Sequence, residues 1–185
     1  GDANSNVLDS HSITLSSDAM GSITFAGHGG GGAMDALEDK TPNAYEESWD
    51  GVTNADEETT VAGTAADNMF TYKSPSISGA VVTIGYVPGG DSVTPTGGYA
   101  DFGITVKPEA VEGLELGFAM GESEQTAGSA VDQQALYAKY SIGAFTVGYQ
   151  MNEADGPASS DDVEFTAVGL TYAITDDISI GYNQS

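Results

Sequence analysis

Six carboxylates crowd into one short stretch of the chain: Asp35, Glu38, Asp39, Glu46, Glu47 and Asp50. They lie in a segment, residues 27–67, that is far longer than an ordinary connection between strands. Charge at this density attracts cations. Bound Ca2+ would ease the repulsion, although the chain holds neither an EF-hand nor a nonapeptide calcium repeat. Within the segment, Met34, Leu37 and Thr41 have the spacing of one or two helical turns, and Pro42 ends any helix there. The glycines at 29–32 give a flexible lead-in, and Trp49 reads as a packing anchor. A long connection with its own helix, apolar anchors and many carboxylates is the kind of segment that carries function.

Catalytic chemistry finds little support. His11 and His28 are the only histidines, and both sit among Ser and Gly, which argues against a histidine metal site. Ser10-His11-Ser12 carries no nucleophile elbow. The glycines at 29–32 fit neither a phosphate loop nor a dinucleotide fingerprint. Cys is absent, so neither a disulfide framework nor a Cys-ligated zinc site is available. No enzyme is expected, and no cofactor beyond weakly held Ca2+.

The wider charge balance excludes further classes. Against 28 Asp and Glu stand four lysines, Lys40, Lys73, Lys107 and Lys139, and no Arg, giving a net charge of −24. Such a surface repels phosphate backbones, so nucleic acid is not an expected partner. No apolar run approaches the 18 or so residues of a transmembrane helix. High charge can signal disorder, but here the carboxylates are segregated and leave other segments almost uncharged.

Those uncharged segments are the elements that must position the chemistry. From Met69 onward, apolar residues recur at every second position: Phe70 and Tyr72; Val82, Ile84 and Tyr86; Ala100, Phe102, Ile104 and Val106; Leu114, Leu116, Phe118 and Met120. The pattern continues through Leu136 to Ile142, Phe145 to Met151, Val168 to Ile174 and Ile178 to Tyr182. Period two puts each set on one face of a strand. The opposite faces are small or polar, with Lys73, Asp101, Glu115 and Lys139 as their charges and Gly103, Gly117, Gly148 and Gly181 among their glycines. With an earlier hairpin around Ile13–Leu15 and Ile23–Phe25, about ten strands are expected.

Short turns at 17–21, 76–79, 107–113, 142–143 and 175–176 alternate with longer links at 27–67, 88–97, 121–132 and 152–163. A meander with one tight rim and one elaborated rim has the anatomy of a transmembrane barrel. The long links hold Asp91, Glu122, Glu124, Glu153, Asp155, Asp161 and Asp162, whereas the apolar faces hold no charge. Tyr86, Tyr140, Phe145, Tyr149, Tyr172 and Tyr182 fall where an interfacial aromatic girdle would lie. A soluble β-sandwich also alternates, but its core holds larger residues, and a Gly-rich polar face suits a water-filled lumen better. The expected fold is one domain over residues 1–185, all-β, an antiparallel up-and-down transmembrane β-barrel.

The chain resembles the general porins of alphaproteobacteria. The resemblance rests on the strand Gly21-Ser22-Ile23-Thr24-Phe25-Ala26-Gly27, running directly into the acidic segment with Asp35 and Tyr45-Glu46-Glu47. It rests also on Phe70-Thr71-Tyr72-Lys73-Ser74-Pro75 and on the hairpin phrase Tyr140-Ser141-Ile142-Gly143-Ala144-Phe145-Thr146-Val147-Gly148-Tyr149. The resemblance implies a 16-stranded barrel, usually trimeric, in the Gram-negative outer membrane, with the long loop folded inward to narrow the channel. Asp35, Glu38, Asp39, Glu46, Glu47 and Asp50 then line the constriction, opposite Lys73, Asp101, Glu115 and Lys139 on the lumen wall. Ten strands fall short of sixteen, and Asn183-Gln184-Ser185 lacks the family's terminal aromatic, so a central portion of a porin is expected. The implied function is passive diffusion of small hydrophilic solutes and ions, with a weak cation preference. The competing expectation is a secreted or surface-layer acidic β-protein using Ca2+ for adhesion.

Overall fold

Runs rich in Val, Ile, Thr, Tyr and Phe, broken by Gly and Pro turns, form strands because branched and aromatic side chains fit a pleated surface. A computed structural model describes residues 11–37, 39–42, 67–90, 97–125, 129–158 and 162–184. Among these, ten strands form one antiparallel sheet in simple chain order. They are β1 (His11–Ser17), β2 (Gly21–His28), β3 (Met69–Lys73), β4 (Ala80–Val87), β5 (Tyr99–Val106), β6 (Leu114–Gln125), β7 (Ser129–Ile142), β8 (Phe145–Asp155), β9 (Val163–Thr175) and β10 (Ile178–Gln184). Each pairs with its neighbours in sequence, the sheet stays open between β1 and β10, and the expected up-and-down order holds throughout.

Burial across the sheet is the reverse of that in a soluble protein. Ile13, Leu15, Phe70, Tyr86, Leu170 and Tyr182 are exposed, while Ala119, Ala135, Gln150 and Asn152 are buried. Every apolar set read from the sequence lies on the exposed face, in continuous register: Phe102 faces Ile84 and Met120, and Leu136 faces Phe118 and Met151. Aromatic pairs bridge neighbouring strands on this face, Phe25 with Phe70 at 4.9 Å and Phe145 with Tyr172 at 4.5 Å between ring centroids. A wall of large apolar side chains left outside is what the lipid-facing side of a membrane barrel presents. The small and polar face is covered instead by the chain between β2 and β3, which makes a single 3-10 turn at Asp35–Leu37. One or two α-helical turns were expected there, and only that tight turn forms in the described part.

The tight rim is as read. Gly113 shows why glycine punctuates it: its φ is +84°, and a Cβ there would overlap the carbonyl oxygen of Ser141. The Ser141 N–H donates to Gly113 O at 2.9 Å, locking that turn onto the next strand.

The other rim corrects the sequence reading. Residues 121–132 are not a long link: β6 and β7 continue through them, leaving only residues 126–128 between the strands. The supposed loop charges Glu122, Glu124, Glu153 and Asp155 accordingly stand on strands. Glu122 is registered opposite Asp132, Asp132 opposite Asp155, and Glu153 opposite Glu164. Like charges facing each other destabilise a sheet, and hydrocarbon would make that cost prohibitive. These tips therefore project into water. Strands of 12 and 14 residues exceed the roughly 9–11 that a tilted membrane strand needs, and the surplus is the acidic part.

Candidate functional site

The described part of the long loop, residues 29–37 and 39–42, lies against the small, polar face. Ala33, Met34 and Leu37 turn toward the wall and pack with Ala119, Ala135, Tyr137 and Ala154, while Val131 and Val163 flank the cluster. Met34 is fully buried and Leu37 is 2% exposed, so the apolar anchors seen in the sequence do the anchoring. Glycines on the wall make the room. A Cβ on Gly103 would come within 2.8 Å of Ala33 Cβ, and one on Gly148 or Gly169 would overlap Pro42.

Hydrogen bonds fix the described loop at both ends. At one end the Met34 N–H donates to Asp101 Oδ2 at 3.0 Å, and Thr71 Oγ1 donates to Gly31 O at 2.9 Å. At the other, Gln150 Oε1 accepts from Lys40 N at 2.6 Å and from Thr41 Oγ1 at 3.3 Å, while its Nε2 donates to Leu37 O at 3.1 Å. With its NH2 turned inward, Asn183 donates to Pro42 O at 2.8 Å. These contacts run from β3 and β5 to β8 and β10, so the loop crosses the face instead of hugging one edge.

Of the predicted loop carboxylates, Asp35 is half-buried and Asp39 is exposed. Glu38, Glu46, Glu47 and Asp50 lie outside the described residues, as does Trp49. The four predicted wall residues all stand on the loop-bearing face, but they are not equivalent. Lys73 is exposed, whereas Asp101, at 5% exposure, is covered by the loop.

Glu115 and Lys139 are directly opposed across β6 and β7. Glu115 accepts from Tyr137 Oη at 2.6 Å through Oε1, and its Oε2 lies 3.1 Å from Lys107 Nζ and 3.6 Å from Lys139 Nζ. The Tyr137 ring lies over Gly117, where any Cβ would collide with it. The charge of Glu115 is thus shared between two lysines at the tight-rim end. Glu115→Gln is expected to leave both lysines unbalanced and to move the cation-to-anion permeability ratio toward anions by roughly twofold, the scale of one partly screened charge. Reversal potentials under a KCl gradient check this. Stability is expected to fall only modestly: the Lys107 side is exposed and contributes little, and Gln keeps an oxygen for Tyr137 although Glu115 itself is only 18% exposed.

Gln150, Thr71 and Asn183 hold the loop without having stood out in the sequence, and Lys107, in a turn, had no role there. The one available signal was Gly148-Tyr149-Gln150, which sets a large amide two positions from a glycine on the same face. Residues 1–185 match the family model described as Gram-negative porin. No curated protein matches the chain.

Proposed function

This chain belongs to the Gram-negative porin family, and on that premise we propose a passive, weakly cation-preferring pore whose width and charge are set by the long acidic loop. The family locates the protein in the bacterial outer membrane, as a channel for small solutes and ions. The observation that carries the finer reading is the seating of the loop on the polar side of an otherwise apolar-coated sheet. That side is the only one water can fill. Met34 and Leu37 pack on the wall, Asp39 is exposed, and Asp35 is half-buried with its carboxylate against Gly31 of the same loop. Glu38, Glu46, Glu47 and Asp50 add to the same segment by sequence. Fixed carboxylates in a narrow aqueous passage stabilise cations and oppose anions. No solute need be bound tightly, since conduction requires release as well as capture.

β1 and β10 keep unpaired edges among the described residues, and in hydrocarbon each such edge needs a neighbouring strand. The pore wall we propose therefore has both of these edges paired.

Planar-bilayer reversal potentials test the reading. The unmodified porin is expected to favour K+ over Cl−, and Asp35→Asn with Asp39→Asn to reduce that preference. Anion preference in the unmodified channel would overturn the assignment of the acidic loop to the constriction.

A further inference from the structure

Asp101 is the one charged side chain fully buried on the loop-bearing face among the described residues. Burying a carboxylate is costly unless its oxygens are hydrogen-bonded. Here Oδ2 receives two donors, the Met34 N–H at 3.0 Å and Tyr99 Oη at 2.8 Å, while Oδ1 is buried without a hydrogen-bond partner among the described residues. One donor comes from the loop and one from its own strand, so the carboxylate joins the two.

The choice of side chain follows what the loop offers. Gln150 meets both a donor, Lys40 N, and an acceptor, Leu37 O, and an amide answers both. Asp101 meets donors alone, and a carboxylate, which only accepts, is the stronger match. The surroundings are cut to fit: a Cβ on Gly32 would overlap Oδ2, and one on Gly85 would overlap Oδ1. Both glycines leave the carboxylate its space, one from the loop side and one from the wall side.

We propose that Asp101 is a latch, a positioning residue that holds the start of the loop against the wall and so fixes the width of the constriction. It acts through the loop's place and not through its own charge on passing ions. This rests on the reading of the loop as the constriction. With the Asp101 contact gone, the segment is still tied through Thr71 to β3 and through Gln150 to β8, so it loosens around Met34 and does not leave.

Single-channel recordings of the porin, reconstituted from outer membranes, test the latch with three variants. Asp101→Ala removes the acceptor. Gly32→Ala crowds it from the loop side without altering a strand, and Gly32 has no positive φ to strain. Asp101→Asn keeps an oxygen acceptor for both donors while removing the charge. Asp101→Ala and Gly32→Ala are each expected to switch between conductance levels about tenfold more often, the population change that one lost charge-assisted hydrogen bond brings. Their combination is expected to add little, since both break one contact. Asp101→Asn is expected to switch less often than Asp101→Ala, since it keeps a weaker acceptor, and to retain the permeability ratio of the parent.

Traces from Asp101→Ala and Gly32→Ala as quiet as the parent's would overturn the latch, even if heat stability fell. So would a shift in permeability ratio in Asp101→Asn equal to that in Asp101→Ala, which would make Asp101 a pore charge. If the parent porin forms no ion-conducting channel, the functional reading itself fails, and that outcome is separate from both.

Discussion

Leu170→Arg is expected to prevent stable assembly in a bilayer, whereas Thr171→Arg, one residue further along β9, is expected to leave a folded, conducting protein. Leu170 lies on the exposed apolar face, registered between Val147 and Tyr182, with Val168 and Tyr172 before and after it on the same side. An Arg there would sit within the hydrocarbon band, at a cost of about 2–4 kcal/mol near the bilayer midplane. Thr171 is registered between Thr146 and Gly181 on the other face, where a cation meets water. Its Arg variant is expected to move the permeability ratio toward anions and to leave folding almost unchanged. Urea titration of folding into lipid vesicles and heat-modifiable mobility in gels measure the first effect, and reversal potentials the second. Because a strand's faces alternate at every residue, a sheet facing the other way would exchange the two outcomes. Equal tolerance of both substitutions would argue against a membrane wall altogether.

What the sequence made legible was the side each residue faces. The period-two sets at Val82–Tyr86, Leu114–Met120 and Phe145–Met151 all lie on the exposed face, because a strand allows no other outcome for that spacing. Strand ends were misread at Gly121–Gln125 and Ser129–Asp132 because Gly and carboxylates ordinarily mark loops. On a strand that overshoots the membrane, the same outward positions face water, and charge there carries no hydrocarbon penalty. The seat of the loop was half legible. Met34 and Leu37 announced themselves as anchors by spacing, but nothing local links Lys40 to Gln150, 110 residues away. Inward glycines on a polar face suit a watery lumen. Gly103, Gly148 and Gly169 have a more specific reason, since each leaves the space that a loop residue occupies.

That reason leads to a prediction with two arms. Gly148 and Gly169 face each other across β8 and β9 and form one notch beneath Pro42. A Cβ on Gly148 would overlap Pro42 Cδ and lie 3.1 Å from Cγ, so it strikes the ring. A Cβ on Gly169 would overlap Pro42 O and lie 2.6 Å from Thr41 Cγ2, so it strikes the backbone beside the Asn183 hydrogen bond. Gly148→Ala and Gly169→Ala are each expected to lift the loop at Pro42, costing about 1–3 kcal/mol of overpacking. Lifting should raise single-channel conductance and lower the temperature of heat modification. Pro42→Ala removes the ring and keeps the carbonyl, so it is expected to restore Gly148→Ala toward the parent while leaving Gly169→Ala impaired. The interaction energy across these pairs, taken from double-mutant cycles on the heat-modification transition, separates ring contact from backbone contact. Rescue of both glycine variants by Pro42→Ala would mean that the ring alone rests in the notch. Rescue of neither would mean that the loop is held elsewhere and that the notch is incidental to the width of the pore.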